Sequence, residues 1–256
     1  MSNTLQERHA LISGGGRGIG SAIASALAAH GARVTLLGRS AGPLQATVAR
    51  LGDAAGFVTA DVTDPAAVAA AVAAARARAG DIDILVNNAG QAASAPFLKT
   101  DAALWNRMLE VNLSGVLHLT QSVLPAMIAR RHGRIVNVAS TAGMVGYAYC
   151  TAYCAAKHGV IGLTRALALE LVQHDITVNA VCPGYTDTEM VREAIATIRD
   201  KTGRSETEAL ASLVGHNPQR RLIRPEEVAN AVAWLCQPGT ESVTGQSIAI
   251  AGGEVS

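Results

Sequence analysis

Short apolar runs alternate along the chain with longer stretches of helical periodicity, and no segment repeats another. Ala10–Ser13 follows a polar start and runs straight into a glycine-rich turn. Ser21–His30 then predicts an Ala/Leu/Ile helix, closed by Gly31 where glycine is favoured after a helix. Arg33–Leu37 is β-like and is followed by turn residues. Phe57–Ala60, Ile82–Val86, Arg134–Val138 and Thr177–Val181 are further strand candidates, separated by helical stretches at about Pro65–Ala79, Asp101–Arg130 and Tyr153–Gln173. This alternation implies βαβ units and an α/β fold, a parallel sheet with helices on both faces. Continuous apolar strands agree, since parallel strands are covered on both sides. No Pro/Ser-rich linker interrupts the pattern, so residues 1–256 read as one domain. Thr188–Pro218 is less regular, two amphipathic pieces around Thr202-Gly203, and its place late in the chain suggests a substrate lid or a plain helical hairpin.

Composition narrows the classes. Of 256 residues, 49% are hydrophobic and 16% charged, which excludes a disordered chain. Aromatics supply only 3%, so the core must be aliphatic. With 21 basic and 20 acidic residues there is no basic excess to release counterions, and nucleic acid is not an expected partner. The longest apolar stretch, Ala66–Ala75, ends at Arg76, far short of the roughly 20 residues a bilayer requires, so no membrane partner is expected. Met1–His9 is polar and lacks the apolar segment of a secretory signal, and the four cysteines form no CxxC pair. Reduced thiols and a cytoplasmic location are the expectation.

The turn Ser13-Gly14-Gly15-Gly16-Arg17-Gly18-Ile19-Gly20 lies between the first strand and the first helix. Glycines let the backbone approach a ligand, and a helix N-terminus offers free N–H groups to a phosphate. GxGxxG is not met, nor is the lysine-bearing triphosphatase loop; the spacing that fits is GxxxGxG, with Gly14, Gly18 and Gly20. An NAD site wants an acidic residue after the second strand, but the chain there reads Leu36-Leu37-Gly38-Arg39-Ser40. Arg39 with Arg17 suits a 2′-phosphate instead, so NADP (as NADPH) is expected over NAD.

Tyr153 and Lys157 are four apart at the start of a helix and share one face. A neighbouring ammonium favours a phenolate, so Lys157 is expected to lower the tyrosine pKa. Ser140 stands just past a strand, where βα loops bring functional groups to the carboxyl edge of a sheet. Together with these residues the glycine turn resembles the TGxxxGxG of the short-chain dehydrogenase/reductase family, with Ser13 for threonine. Asp61-Val62 resembles that family's adenine-contacting position, and Asn87-Asn88-Ala89-Gly90 its NNAG motif. Asn112, Ser140, Tyr153 and Lys157 match its catalytic tetrad, and Pro183-Gly184 with Thr188 resembles the nicotinamide segment PGxxxTxM. Thr186 stands where an aliphatic residue is usual, and Ala251 precedes Gly252-Gly253 where aspartate is common.

The resemblance spans nearly the whole chain and implies a Rossmann-type doubly wound sheet. It implies cofactor contacts from Ser13, Gly14, Arg17, Gly18, Ile19, Gly20, Arg39, Asp61, Val62, Asn88, Ala89, Gly90, Tyr153, Lys157, Pro183, Gly184, Thr186 and Thr188. It further implies that Tyr153 is the general acid, that Ser140 binds the carbonyl oxygen, and that Lys157 holds the nicotinamide ribose. Asn112 would position a relay water. The reaction class implied is hydride transfer between nicotinamide and a carbonyl or secondary alcohol, with reductases of 3-oxoacyl thioesters and polyketides most alike. The small-molecule substrate would then be a carbonyl or hydroxyacyl compound, including CoA or carrier-protein thioesters. An NAD-linked 3-hydroxyacyl-CoA or alcohol dehydrogenase, and a nucleotide sensor without catalysis, are the alternatives. A homotetramer is expected, since the matching helices form interfaces in that family.

Other residues carry plainer readings. Cys150 and Cys154 read as small buried residues, Cys182 and Cys236 as core, and His158 as helix surface. The seven histidines form no HExxH, so no metal is expected. Arg220, Arg221 and Arg224 are structural, solvated or phosphate-attracting, and Tyr147, Tyr149 and Tyr185 are candidates for the pocket wall.

Overall fold

In the first strand, His9–Ser13 (β1), successive side chains point to opposite faces. Ala10 and Ile12 join one cluster of buried residues and Leu11 another, so the sheet is packed on both sides from its first strand onward. The computed structural model describes residues 4–255. Its strands continue as Arg33–Gly38 (β2), Ala55–Thr59 (β3), Ile84–Asn87 (β4), Gly133–Val138 (β5), Ile176–Pro183 (β6) and Ser247–Ile250 (β7). They form a seven-stranded parallel sheet in the order β3-β2-β1-β4-β5-β6-β7. The order runs one way from β1 to β3 and the other way from β4, which opens a crevice beyond the carboxyl ends of β1 and β4.

Gly18–Ala29 (α1), Ala41–Leu51 (α2) and Pro225–Cys236 (α9) cover the first face, where Leu27 and Val232 are fully buried. Pro65–Ala79 (α3), Gly115–Arg130 (α5) and Thr151–Leu171 (α6) cover the second, through Val68, Leu119, Val123 and Leu171. The boundaries of α3 follow from its flanks. Asp64 accepts from the N–H groups of Ala66 and Ala67, Pro65 fills the first turn where no donor is needed, and Gly80 ends it at φ 85°.

Several elements depart from the sequence reading. The single helix expected over Asp101–Arg130 is two, Ala102–Leu109 (α4) and α5, joined by a π-helical turn at Glu110–Ser114. The extra residue per turn carries no sequence signature, and such turns gather at functional sites. The alternation read from the sequence does not include α2, α9 and β7, the last being only four residues between Gly245 and Gly252. The segment Thr188–Pro218 forms a helical hairpin, Glu189–Thr202 (α7) and Glu206–Val214 (α8), around its own small core of Val191, Ile195 and Ala209. Among the described residues, no helix is long and apolar enough to cross a membrane.

Candidate active site

The glycine turn sits at the crevice because β1 ends where α1 begins. Gly14 and Gly18 take φ 66° and 52°, and a Cβ on Gly20 would lie 2.2 Å from the Gly14 carbonyl oxygen. Helix and turn therefore touch backbone to backbone, as a phosphate cradle requires. No side chain caps α1 and no acidic residue lies in its first turn, so the positive end of the helix is left for an anionic ligand. Ser13 is fully buried beneath the turn, and its Oγ accepts from the N–H groups of Asn88 and Ala89, both at 3.0 Å. The Asn88 carboxamide donates back to the carbonyls of Ser13 and Gly14. Ser13 thus braces the loop from below, whereas Gly14, Gly18, Ile19, Gly20, Asn88, Ala89 and Gly90 line the cleft.

At the far end of the same cleft stand Arg39, Asp61 and Val62. Arg39 approaches Asp61 at 3.9 Å, with both side chains well exposed, so the contact contributes little and the guanidinium can turn to a phosphate. Asp61 is held by the Thr63 N–H and hydroxyl, and the backbone bond above all keeps its carboxyl below the ordinary value. Arg17 pairs with Glu189, the first residue of α7. These residues fit a dinucleotide carrying an extra phosphate.

The chemistry-bearing residues converge where β5 and β6 end. Ser140 follows β5 and accepts from the Ala142 N–H at 3.1 Å, which leaves its own hydroxyl proton free to donate. Tyr153 lies in the first turn of α6, and Lys157 one turn further, 4% exposed. The Lys157 Nζ stands 5.7 Å from the centre of the Tyr153 ring and donates to the Val138 carbonyl at 2.9 Å. Burial lowers the lysine to about 8. Burial also raises Tyr153 to about 12, against the opposing pull of the Ser140 hydroxyl. The expected lowering of the phenol by Lys157 is therefore overturned in this state: the ammonium is turned toward Val138, and desolvation of the phenol dominates.

The π-helical turn buries Asn112, and its carboxamide exchanges two hydrogen bonds with the Gln91 backbone, at 2.9 and 3.1 Å, and gives another to the Met108 carbonyl. It holds the loop after β4 rather than presenting a free amide. A Cβ on Gly90 would lie 2.9 Å from Asn112 Oδ1 and 3.7 Å from Lys157 Nζ, so the bare backbone at Gly90 makes room for both groups. Pro183, Gly184, Thr186 and Thr188 form the opposite wall, Thr186 bonding to the Gly184 carbonyl and Thr188 to that of Thr186.

The cleft has a volume of about 980 Å³ and runs from Arg39 to helix α7. Tyr147 and Tyr185 line it, edge to face with ring centres 6.4 Å apart. Tyr149 does not belong to the pocket wall. It sits at φ 66° in the loop before α6 and is 65% exposed. Cys150 is half-buried on the cleft wall rather than fully buried, and Cys154 is half-buried behind it. Arg221 is committed to both oxygens of Glu227, Arg224 to the same carboxylate, and Arg220 to the Gly215 carbonyl, so this group ties the chain after the α7–α8 hairpin. Sequence reasoning missed Gln91, which only the π-turn brings to the site, and Glu254, whose Oε1 meets the Tyr147 hydroxyl at 2.5 Å.

Comparison with known proteins gives one consistent set. A family model described as short chain dehydrogenase matches residues 8–199. A protein of Streptomyces violaceoruber, described as a ketoacyl reductase of the granaticin polyketide synthase, is 43% identical over 95% of this chain and 92% of its own length. The 3-oxoacyl-[acyl-carrier-protein] reductase FabG of Escherichia coli is 38% identical over 95% and 96%. The crystal structure of a tryptophan-substituted actinorhodin polyketide ketoreductase with NADPH superposes with a TM-score of 0.93, at 39% identity and covering 99% of both chains.

Proposed function

The chain belongs to the short-chain dehydrogenase family, and from that premise we propose that it is an NADPH-dependent reductase of a 3-oxoacyl thioester or a related polyketide-type ketone. The observation that carries this reading is a single cleft lined by the glycine turn at one end and by Ser140, Tyr153 and Lys157 at the other. The names of its relatives agree, two being ketoacyl or 3-oxoacyl reductases and one a ketoreductase in complex with NADPH.

Bound in this cleft, the reduced nicotinamide supplies the hydride that the carbonyl carbon accepts. The rest is the work of the chain. Ser140, its oxygen already engaged by Ala142, gives its proton in a hydrogen bond to the carbonyl oxygen, where charge accumulates. Tyr153 transfers its phenolic proton to that same oxygen as the general acid. Lys157 spends one N–H on Val138 and keeps two for the nicotinamide ribose and for returning a proton toward Tyr153. Asn112 acts as a positioning residue, fixing Gln91 and the cleft wall at Gly90. The glycine turn holds the pyrophosphate, Arg39 the 2′-phosphate with Arg17, Asp61 and Val62 the adenine side, and residues 183–188 the nicotinamide. The α7–α8 hairpin serves as the substrate lid.

Large apolar side chains stay exposed on and just beyond α4, α5 and α6, among them Trp105, Leu117, Leu169 and Val172. They support a homotetramer built through those helices, which light scattering after size-exclusion would test. The four free thiols suit a reducing, cytoplasmic setting. Tyr153→Phe tests the chemistry: with acetoacetyl-CoA the fall in NADPH absorbance should slow by about 10²–10⁴-fold while NADPH fluorescence still reports binding. Full turnover by that variant refutes the assignment.

A further inference from the structure

The segment after β7 brings a carboxylate against two residues that wall the substrate end of the cleft, Tyr147 and Gly184. Gly252 and Gly253 take φ 62° and 90°, which turns the chain back so that the Glu254 N–H meets the Ala251 carbonyl at 3.2 Å. A Cβ on Gly252 would lie 2.4 Å from Asn217 Oδ1, so the turn is seated against the far end of the lid segment. Glu254 Oε1 accepts the Tyr147 hydroxyl at 2.5 Å, and the Thr141 hydroxyl lies 2.8 Å from the same phenolic oxygen. A phenol has a single proton, so with that proton directed to Glu254 the Thr141 hydroxyl becomes the donor. Glu254 Oε2 stands 2.9 Å from the point a Cβ on Gly184 would occupy. Thr141, Tyr147 and Gly184 all line the cleft beside Ser140 and Tyr153.

We propose that Glu254 selects substrates by charge: it makes the wall beside Ser140 and Tyr153 electronegative, so that a neutral ester or thioester of a 3-oxo acid is accepted and the free acid is disfavoured. This rests on the ketone-reductase reading given above. In a 3-oxo acid the carboxyl carbon is separated from the ketone carbon by one methylene. Its negative charge therefore stays close to the oxygen that Ser140 and Tyr153 hold, whichever way the molecule lies. The ester or thioester places the same atoms there without the charge. Other charged groups do not cancel the effect. The lid contributes Glu189, Glu193 and Lys201 to the cleft, Glu189 paired with Arg17 and the other two one of each sign, and Lys157 is buried beneath Tyr153 with its ammonium on Val138. Burial and then Glu254 hold the Tyr147 phenol above its ordinary value, so Tyr147 remains a donor already committed to Glu254.

The test compares wild type, E254Q and Y147F with NADPH on ethyl acetoacetate and on acetoacetate at low and high salt. A carboxamide still accepts from Tyr147, so E254Q removes the charge and keeps the turn. Wild type should favour the ester by about tenfold in kcat/KM, and E254Q should narrow that ratio about fivefold, through a lower KM for the acid. High salt should narrow the wild-type ratio too, and Y147F, which retains the carboxylate, should keep it. An ester-to-acid ratio unchanged in E254Q overturns the proposal. So does an equal loss on both ketones, which marks a merely structural role. Wild type that binds NADPH but reduces neither ketone brings down the reductase reading itself, and that result is visible before any variant is made.

Discussion

Replacing Lys157 by methionine should separate the stability of the site from its chemistry. Burial holds the Lys157 ammonium at about 8, below the ordinary lysine value of 10.5. Between those two values the unfolded chain binds a proton that the folded chain does not, so stability rises as the pH climbs through the window. Below about pH 8 the folded protein carries the whole penalty, on the order of 3 kcal/mol. Methionine removes that penalty but leaves the Val138 carbonyl without its donor, which costs about 1–3 kcal/mol. The cofactor-free variant should thus be as stable as wild type at pH 7 or about 1–2 kcal/mol more so, although turnover is lost. At about pH 9.5 the wild type has recovered about 2 kcal/mol, and the variant's advantage should vanish or reverse. Parallel urea denaturation of both proteins at about pH 7 and 9.5 measures the difference, and titrations common to both cancel. The reasoning fails if the wild type gains nothing on the variant between those pH values.

Arg39→Ala should weaken NADPH binding about 10–100-fold and leave NADH nearly untouched, as read by cofactor fluorescence; equal losses would remove Arg39 from the 2′-phosphate. Gly20→Ala puts a Cβ 2.2 Å from the Gly14 carbonyl and 2.6 Å from Asn88 Nδ2. The turn must shift, and NADPH affinity should fall at least about tenfold while helicity by circular dichroism is kept; wild-type affinity would contradict the cradle. In the α7–α8 hairpin, Ser205 and Glu208 form a reciprocal cap at the start of α8. Ser205→Ala should cost about 1 kcal/mol locally, seen as faster amide exchange in α8 with the sheet unaffected.

Much of this protein is legible from the order of its residues because its signals are local. β1, β2, α3 and β5 are marked by apolar runs, a capping aspartate and glycines at their ends, and all lie near their expected positions. Tyr153 and Lys157 share a face by helical spacing alone, and the glycine turn needs only its own backbone to show what it admits. Other features depend on partners distant in the chain. Asn112 is aimed by a π-helical turn that no periodicity reveals, and its partner Gln91 is known only once that turn is folded. Arg17 meets Glu189 from a helix more than half the chain away, a contact that residue types alone do not select.

The clearest division lies at Tyr153 and Glu254. Sequence alone pointed to the α/β architecture and the cofactor class and set Tyr153 and Lys157 on one helix face, because hydrophobic period and residue spacing act over a few residues. Only the tertiary structure decided the electrostatics. Adjacency to Lys157 predicts a lowered phenol, yet burial raises it, because desolvation depends on everything packed around the ring and not on the neighbour four residues away. Glu254, silent in the sequence, reaches Tyr147 because β7 and the Gly252-Gly253 turn carry it there. Charge and burial at a site are properties of folded neighbours, and those are assembled only when the sheet is closed.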